Sequence, residues 1–273
     1  MPGMSSIPAI PAGIYNIVAV DLNGSQITAL NNIRKSVEME EIIGLESSTF
    51  KTVVEYVSEF NKKSEVFKTL GYSHRTGVLL YGPEGTGKTC LVKYLSLRLV
   101  DEYGYIVIFA NGSNQLNIIE NMIRWIRHKD EENESHTPIA VVLDEFEGFV
   151  NPDDSSICRF LDGGNSQDNI ITLAITNYIR DIPTRVMRPS RFGLIREIPR
   201  IEHTIIKSFI TKKLDGKFES NEIAKFIMEF DEGHHSLDEV KNKMILKFAL
   251  GERFKHSDYD IQKNVKNTYK QGI

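Results

Sequence analysis

The sequence predicts an α/β fold: a five-stranded parallel sheet flanked by helices, a short β-hairpin before it and a small α-helical lid after it. Three observations carry this. Short runs of branched apolar residues alternate with stretches of helical apolar spacing, the pattern of parallel strands joined by helices. A glycine-rich turn joins one such run, Val78–Tyr81, to a helix opening at Lys88. From Glu202 onward the strand-like runs stop and helical spacing continues alone.

The bulk numbers set the frame. The chain has 273 residues, 41% apolar and 26% charged, which is long enough for one large or two small well-buried units. A net charge of −4 argues against general affinity for polyanions. Two cysteines, Cys90 and Cys158, without a secretory leader suggest a reducing compartment. No apolar run reaches the length of a membrane span, so a cytoplasmic location with no membrane partner is expected.

Taken in order, Ile14–Val20 and Ser25–Leu30 flank the turn Asp21–Gly24 and read as a hairpin within an N-terminal extension, residues 1–40. Ser48–Phe60 places Val53, Val54, Val57 and Phe60 on one helical face. Val78–Tyr81 is the first core strand. The helix after it runs from Lys88 to about Val100, with Leu91, Leu95 and Leu99 inward. Ile106–Ala110 is the second strand, and Gln115–Arg127 the helix behind it. The charge run Lys129–Glu134 reads as a solvated loop. Ile139–Leu143, Ile170–Ile175 and Ile195–Ile198 complete five strands in a core spanning 41–201. Residues 202–273 form the helical part. There Ser236 and Glu239 make a capping box, opening a helix with Val240, Met244 and Phe248 inward.

The turn VLLYGPEGTGKT matches G-x-x-x-x-G-K-[ST], the P-loop of nucleotide-binding proteins. Glycine allows successive N–H groups to wrap a polyphosphate, and the helix that follows adds its positive end. Gly82, Pro83, Glu84, Gly85, Thr86, Gly87, Lys88, Thr89 and Cys90 therefore surround the expected ATP, with the Cys90 thiol read as packing. Lys88 reaches the β- and γ-phosphates, and the Thr89 hydroxyl takes one Mg²⁺ position. The strand Ile139–Leu143 ends in Asp144–Glu145, a Walker B pattern. Asp144 then holds Mg²⁺, and Glu145 orients or deprotonates the attacking water. Asn177, at the end of the fourth strand, can face the γ-phosphate or that water; read alone it is also a strand-end cap. Asp153, Asp154 and Asp162 read as loop acids, and His234–His235 as lid or exposed residues without a third metal ligand.

The motif order resembles the AAA branch of the AAA+ ATPases from about Glu41 to Gly251. VVLDEFE is similar to its Walker B, TLAITN to sensor 1, and MRPSRF to its RPGRF. The resemblance implies that Ile43 and Gly44 contact the adenine and that Gly233 lies near it in the lid. It makes Asn177 the sensor residue, and Arg188 and Arg191 fingers on the neighbouring subunit's nucleotide. It further implies ATP hydrolysis in a homo-oligomeric ring, a hexamer, acting on a protein client or adaptor. The sequence departs from the family in three places. Leu116–Asn121 offers no aromatic where a pore loop is usual, Gly193 stands where Asp is usual, and a short hairpin region replaces a large adaptor domain. Two other functions compete: an ATPase acting on DNA, suggested by Arg124, Arg127, His128 and Lys129, and a nucleotide-controlled assembly switch.

Overall fold

The computed structural model describes residues 10–22, 25–34, 47–132, 137–150, 154–163, 168–230 and 235–250. Ile43, Gly44, Gly233, His234 and Asp153 lie outside these residues. The strands are β1 (Gly13–Leu22), β2 (Ser25–Asn32), β3 (Arg75–Tyr81), β4 (Ile106–Ala110), β5 (Ile139–Leu143), β6 (Ile170–Thr176) and β7 (Leu194–Glu197). They form one sheet in the order β2-β1-β4-β5-β6-β3-β7.

The sheet thus has seven strands, not five. The five anticipated strands are present and parallel, and the hairpin adds two more at the outer edge of β4. β1 pairs parallel with β4, and β2 antiparallel with β1. The reason is burial on both faces. Ile14 packs into the apolar layer on one side of the sheet, while Tyr15 and Ile17 pack into the layer on the other. A free hairpin would leave those side chains in water.

The helices are α1 (Ser48–Lys62), α2 (Ser64–Thr69), α3 (Lys88–Tyr103), α4 (Leu116–Glu132), α5 (Ser155–Asp162), α6 (His203–Leu214), α7 (Ser220–Ile227) and α8 (Leu237–Met244). α1 and α3 cover one face of the sheet with Phe50, Val53, Leu91 and Leu95. α4 and α5 cover the other with Ile119, Ile123, Ile157 and Phe160. Every residue of β5 and β6 is buried, as strands covered on both faces require. The Ser47 hydroxyl caps α1 by accepting the Phe50 N–H at 3.2 Å.

Two expectations about loops are corrected. The charge run after Arg127 continues α4 to Glu132, and Asp130 within it is 5% exposed. Its carboxylate accepts from Arg127 at 2.8 Å and from the Thr137 N–H at 3.0 Å, which makes burial affordable. Asp162 is not a loop acid either, whereas Asp154 stands just before α5 at its N-cap. They bracket α5, whose Ile157, Phe160 and Leu161 recur at helical spacing and are buried.

The lid is a separate apolar cluster built from α6, α7 and α8 around Phe209, Ile210, Phe226, Phe230 and Val240. The serine half of the expected capping box forms at its edge, where Ser236 Oγ accepts the Glu239 N–H at 3.1 Å, while the Glu239 carboxylate meets His235 Nδ1 and Lys243 Nζ at 3.0 Å each. A single antiparallel bridge, Ile201 to His235, ties the lid to the strand β7 exit. Among the described residues no helix is long and apolar enough to cross a membrane.

Candidate active site

β5, β6 and β3 are adjacent and in register, Leu143 opposite Ala174 and Leu80 opposite Ile175, so their carboxyl ends open side by side. At that edge lies a cavity of about 300 Å³, lined by 84–90 from the turn after β3, Asp144 and Glu145 after β5, Asn177 after β6, and Asp238 from α8. Open α/β sheets bind ligands outside the carboxyl ends of their strands.

The turn has the shape its glycines were expected to allow. Gly82, Gly85 and Gly87 all have positive φ, at 142°, 70° and 93°. Two of them also avoid contacts. A Cβ on Gly82 would stand 2.3 Å from the Ile198 carbonyl, and one on Gly85 would stand 2.9 Å from Ser236 Oγ and 3.0 Å from Asp238 Oδ2. The first residues of the lid helix therefore sit directly on the loop. Gly87 caps α3 without a side chain, leaving the opening N–H groups of that helix turned to the loop.

Lys88 is 5% exposed, and its Nζ donates to the Gly82 carbonyl at 2.8 Å and the Pro83 carbonyl at 2.6 Å. Burial pushes its pKa down, while Glu84, Asp144 and Glu147 oppose that. Asp144 Oδ1 accepts the Glu145 N–H at 2.9 Å. Glu145 adopts a left-handed backbone, φ 50° and ψ 54°, uncommon for a residue with a side chain and costing on the order of 1–3 kcal/mol. The half-buried Asp144 and the exposed Glu145 both border the cavity.

Several contributors were not singled out from the sequence. Glu147 accepts the Thr176 hydroxyl proton at 2.6 Å, Thr176 accepts the Tyr178 N–H at 3.0 Å, and the Tyr178 hydroxyl donates to Glu84 at 3.1 Å. This chain links the loops that follow β5, β6 and β3. Asp238 joins the site from the far side. Its signal was the Ser236 N-cap: an acid in the first turn of a helix that begins over the glycine loop.

The residues fit a magnesium-bound polyphosphate. Glu84, Asp144, Glu145 and Asp238 face the cavity with a single lysine among its lining residues, so a polyanion needs an accompanying divalent cation there. The Thr89 hydroxyl and the Asp144 carboxylate are the hard oxygen donors magnesium prefers. Cys90 borders the cavity and packs against the lid cluster.

Other expected residues lie elsewhere. Arg188 is exposed, and Arg191 is buried against Asp162; neither lines the cavity. The glycine at 193 has a steric reason, because a Cβ there would stand 2.1 Å from the Tyr56 hydroxyl, which holds Thr76 at 2.7 Å. Leu116 and Ile119, in the stretch that replaces an aromatic pore loop, are buried in the core. Of the basic cluster on α4, Arg127 is 9% exposed and bound to Asp130 and to the carbonyls of Thr137 and Asp168. It is a structural strut and not a surface cation. His235 is buried with Nδ1 3.0 Å from Glu239, and no cluster of three metal-ligating side chains occurs among the described residues.

Comparison with known proteins agrees with this geometry. Residues 78–200 match the model of the ATPase family associated with various cellular activities (AAA). The chain is 30% identical over 226 residues to a proteasome-activating nucleotidase of Saccharolobus islandicus, covering 77% of this chain and 56% of that protein. It is 25% identical over 234 residues to the ATP-dependent zinc metalloprotease YME1L1 of Mus musculus, covering 79% and 32%. The chain thus spans about half the length of the archaeal relatives, or less of the mouse protein. The match makes residues 78–200 an AAA-family domain, and the cavity lies at the carboxyl ends of its strands.

Proposed function

We propose that this chain hydrolyses ATP to ADP and phosphate with Mg²⁺, in a homo-oligomeric ring of six, and uses the cycle to remodel a protein or protein complex. The observation that carries the reading is the convergence of Lys88, Thr89, Asp144, Glu145 and Asn177 on one cavity from three neighbouring strand ends.

Each residue has a physical task. Lys88 exchanges its two loop carbonyls for phosphate oxygens, a stronger charge-assisted contact. Thr89 and Asp144 would hold the magnesium ion, which would supply charge neutralisation for the polyphosphate. Glu145 takes the proton of the attacking water, and its left-handed backbone sets the carboxylate apart from Asp144. Asn177 positions that water or the γ-phosphate. The adenine is expected against Ile43, Gly44 and Gly233. An arginine from the neighbouring protomer stabilises the charge that develops on the γ-phosphoryl oxygens.

A protein client is favoured over DNA. The names of the relatives, a proteasome-activating nucleotidase and an ATP-dependent protease, point to protein partners. The burial of Arg127 removes the centre of the basic cluster that suggested nucleic acid. ATP turnover per protomer, measured across a dilution series with mass followed by light scattering, tests the ring. Turnover should rise as the assembly fills. A constant rate from a monomer would refute it.

A further inference from the structure

Asn177 stands between two residues that are each tied to a different loop of the site. On its amino side, the Thr176 hydroxyl, 1% exposed, donates to Glu147 at 2.6 Å, in the turn that follows Asp144 and Glu145. On its carboxyl side, the Tyr178 N–H returns to the Thr176 hydroxyl oxygen at 3.0 Å, and the Tyr178 hydroxyl donates to Glu84 Oε1 at 3.1 Å. Glu84 belongs to the glycine loop itself, between Pro83 and Gly85. The Asn177 side chain is half-buried, borders the cavity and makes no hydrogen bond among the described residues. Its direction is therefore set by its neighbours.

Glu84 and Tyr178 each need a reason for their place. A carboxylate at the rim of a cavity suited to polyphosphate opposes the ligand's charge. A tyrosine ring is a large apolar body that burial would favour, yet Tyr178 is 52% exposed. The bond between them accounts for both. It gives the carboxylate a donor outside the cavity lining and gives the ring a fixed end. The hydrogen bond to Glu84 and the charge of Glu84 push the Tyr178 pKa above its ordinary value of 10.0, with smaller contributions from burial, Glu147 and Asp181, so the hydroxyl stays a donor at neutral pH.

We propose that Tyr178 and Glu84 form a clip that fastens the loop after β6 to the glycine loop, and that this clip aims the Asn177 amide into the cavity. Tyr178 is then a positioning residue for hydrolysis that acts through Asn177. This rests on the ATPase reading above. An amide that holds the attacking water or the γ-phosphate is useful only if its direction is fixed before the ligand arrives. Thr176 supplies one fixed side through the sheet and Glu147, and the clip supplies the other. Because Glu84 is part of the loop that would wrap the phosphates, the clip also sets Asn177 relative to that loop.

Tyr178→Phe removes one hydroxyl and leaves the exposed ring in place. In the full chain it should lower kcat about tenfold while KM for ATP stays within about threefold. Glu84→Ala should lower kcat by a similar factor, and the two together by little more than either alone, since both break one bond. Glu84→Gln keeps an oxygen that accepts the hydroxyl and should recover part of the loss. An unchanged kcat in Tyr178→Phe, or single losses that multiply in the double variant, would overturn the proposal. The bond is also read without turnover. In protein labelled at the tyrosine Cζ, the resonance missing from Tyr178→Phe belongs to Tyr178. At neutral pH, without nucleotide, that resonance should move in Glu84→Ala and move less in Glu84→Gln, while those of the other tyrosines stay. A Tyr178 resonance that Glu84→Ala leaves in place would refute the clip. An inactive parent chain would defeat the ATPase reading, and the resonance would still decide the clip.

Discussion

At the amino ends of the parallel strands, buried polar groups close on one another. Arg127 bonds to Asp130 and to the carbonyls of Thr137 and Asp168. His74, 4% exposed, has Nε2 2.8 Å from the Phe60 carbonyl and Nδ1 3.1 Å from Asn169, and stacks on Phe60 at 3.9 Å. At the carboxyl ends, equally charged groups face a cavity. Lys88 is as buried as Asp130, yet its partners are the carbonyls of its own loop. Asp144 and Glu145 border open space. The lesson is that burial of a charge does not by itself mark a functional site. What distinguishes the two ends is whether a charge meets an opposite charge inside the fold, as Arg127 meets Asp130 although its Nε has no hydrogen-bond partner, or borders open space.

That contrast can be broken by experiment. The largest effect should come from Lys88→Ala, which should weaken MgATP binding by at least about 10²-fold in calorimetry and leave the melting temperature of the unliganded chain nearly unchanged. Unchanged binding would remove the distinction between the two ends. Glu145→Gln should keep the affinity for ATP and cut single-turnover hydrolysis by about 10²–10⁴-fold. On the proposed ring reading it should also retain a protein client in a pull-down, because a ring stalled with nucleotide bound would not release it.

Arg127→Ala should give the opposite signature. Breaking a buried pair costs about 3 kcal/mol, which should appear as a fall of roughly 6–12 °C in the melting temperature. Affinity for ATP should not move, and binding to DNA at low salt should be no different from that of the parent. A loss of ATP binding with intact stability would contradict the assignment. Gly85→Ala is subtler. Its φ of 70° and the 2.9 Å approach to Ser236 mean that a methyl group strains the loop and pushes α8 away. Affinity for ATP should fall by about tenfold, with a stability loss near 1 kcal/mol.

The smallest expected effect is on pH dependence. The hydrogen bond from Arg191 holds the Asp162 pKa below its ordinary value of 3.8. Its contribution to stability is complete above that ordinary value and is lost as pH falls through the lowered one. Between pH 6 and pH 3, Asp162→Asn should therefore lose slightly less melting temperature than the parent. An identical acid response of both proteins would count against the pair.

Local pattern made much of this legible. The five βα strands, the Ser236 N-cap, and every residue from Lys88 to Asp144 that meets the cavity could be read from spacing and motif. The failures share a cause. The hairpin was legible as two strands, but its pairing with β4 depends on which face each side chain buries, and that is set by helices distant in sequence. α5 was missed because its apolar residues, Ile157, Phe160 and Leu161, sit among acids that resemble a loop until Arg185 and Arg191 neutralise them. Arg191 and Arg188 are indistinguishable as letters three positions apart.

The sequence by itself determined the chemistry: a glycine loop, a lysine, a hydroxyl and an acidic pair can be ordered for phosphate work because each needs only neighbours a few residues away. Tertiary structure decided which charges are available for that work. Arg127, Asp130, Asp154, Asp162 and Arg191 were all plausible surface groups in one dimension, and each found an ion-pair partner across the fold. Electrostatic pairing depends on distance in space and on exclusion of water, and neither quantity is written along the chain.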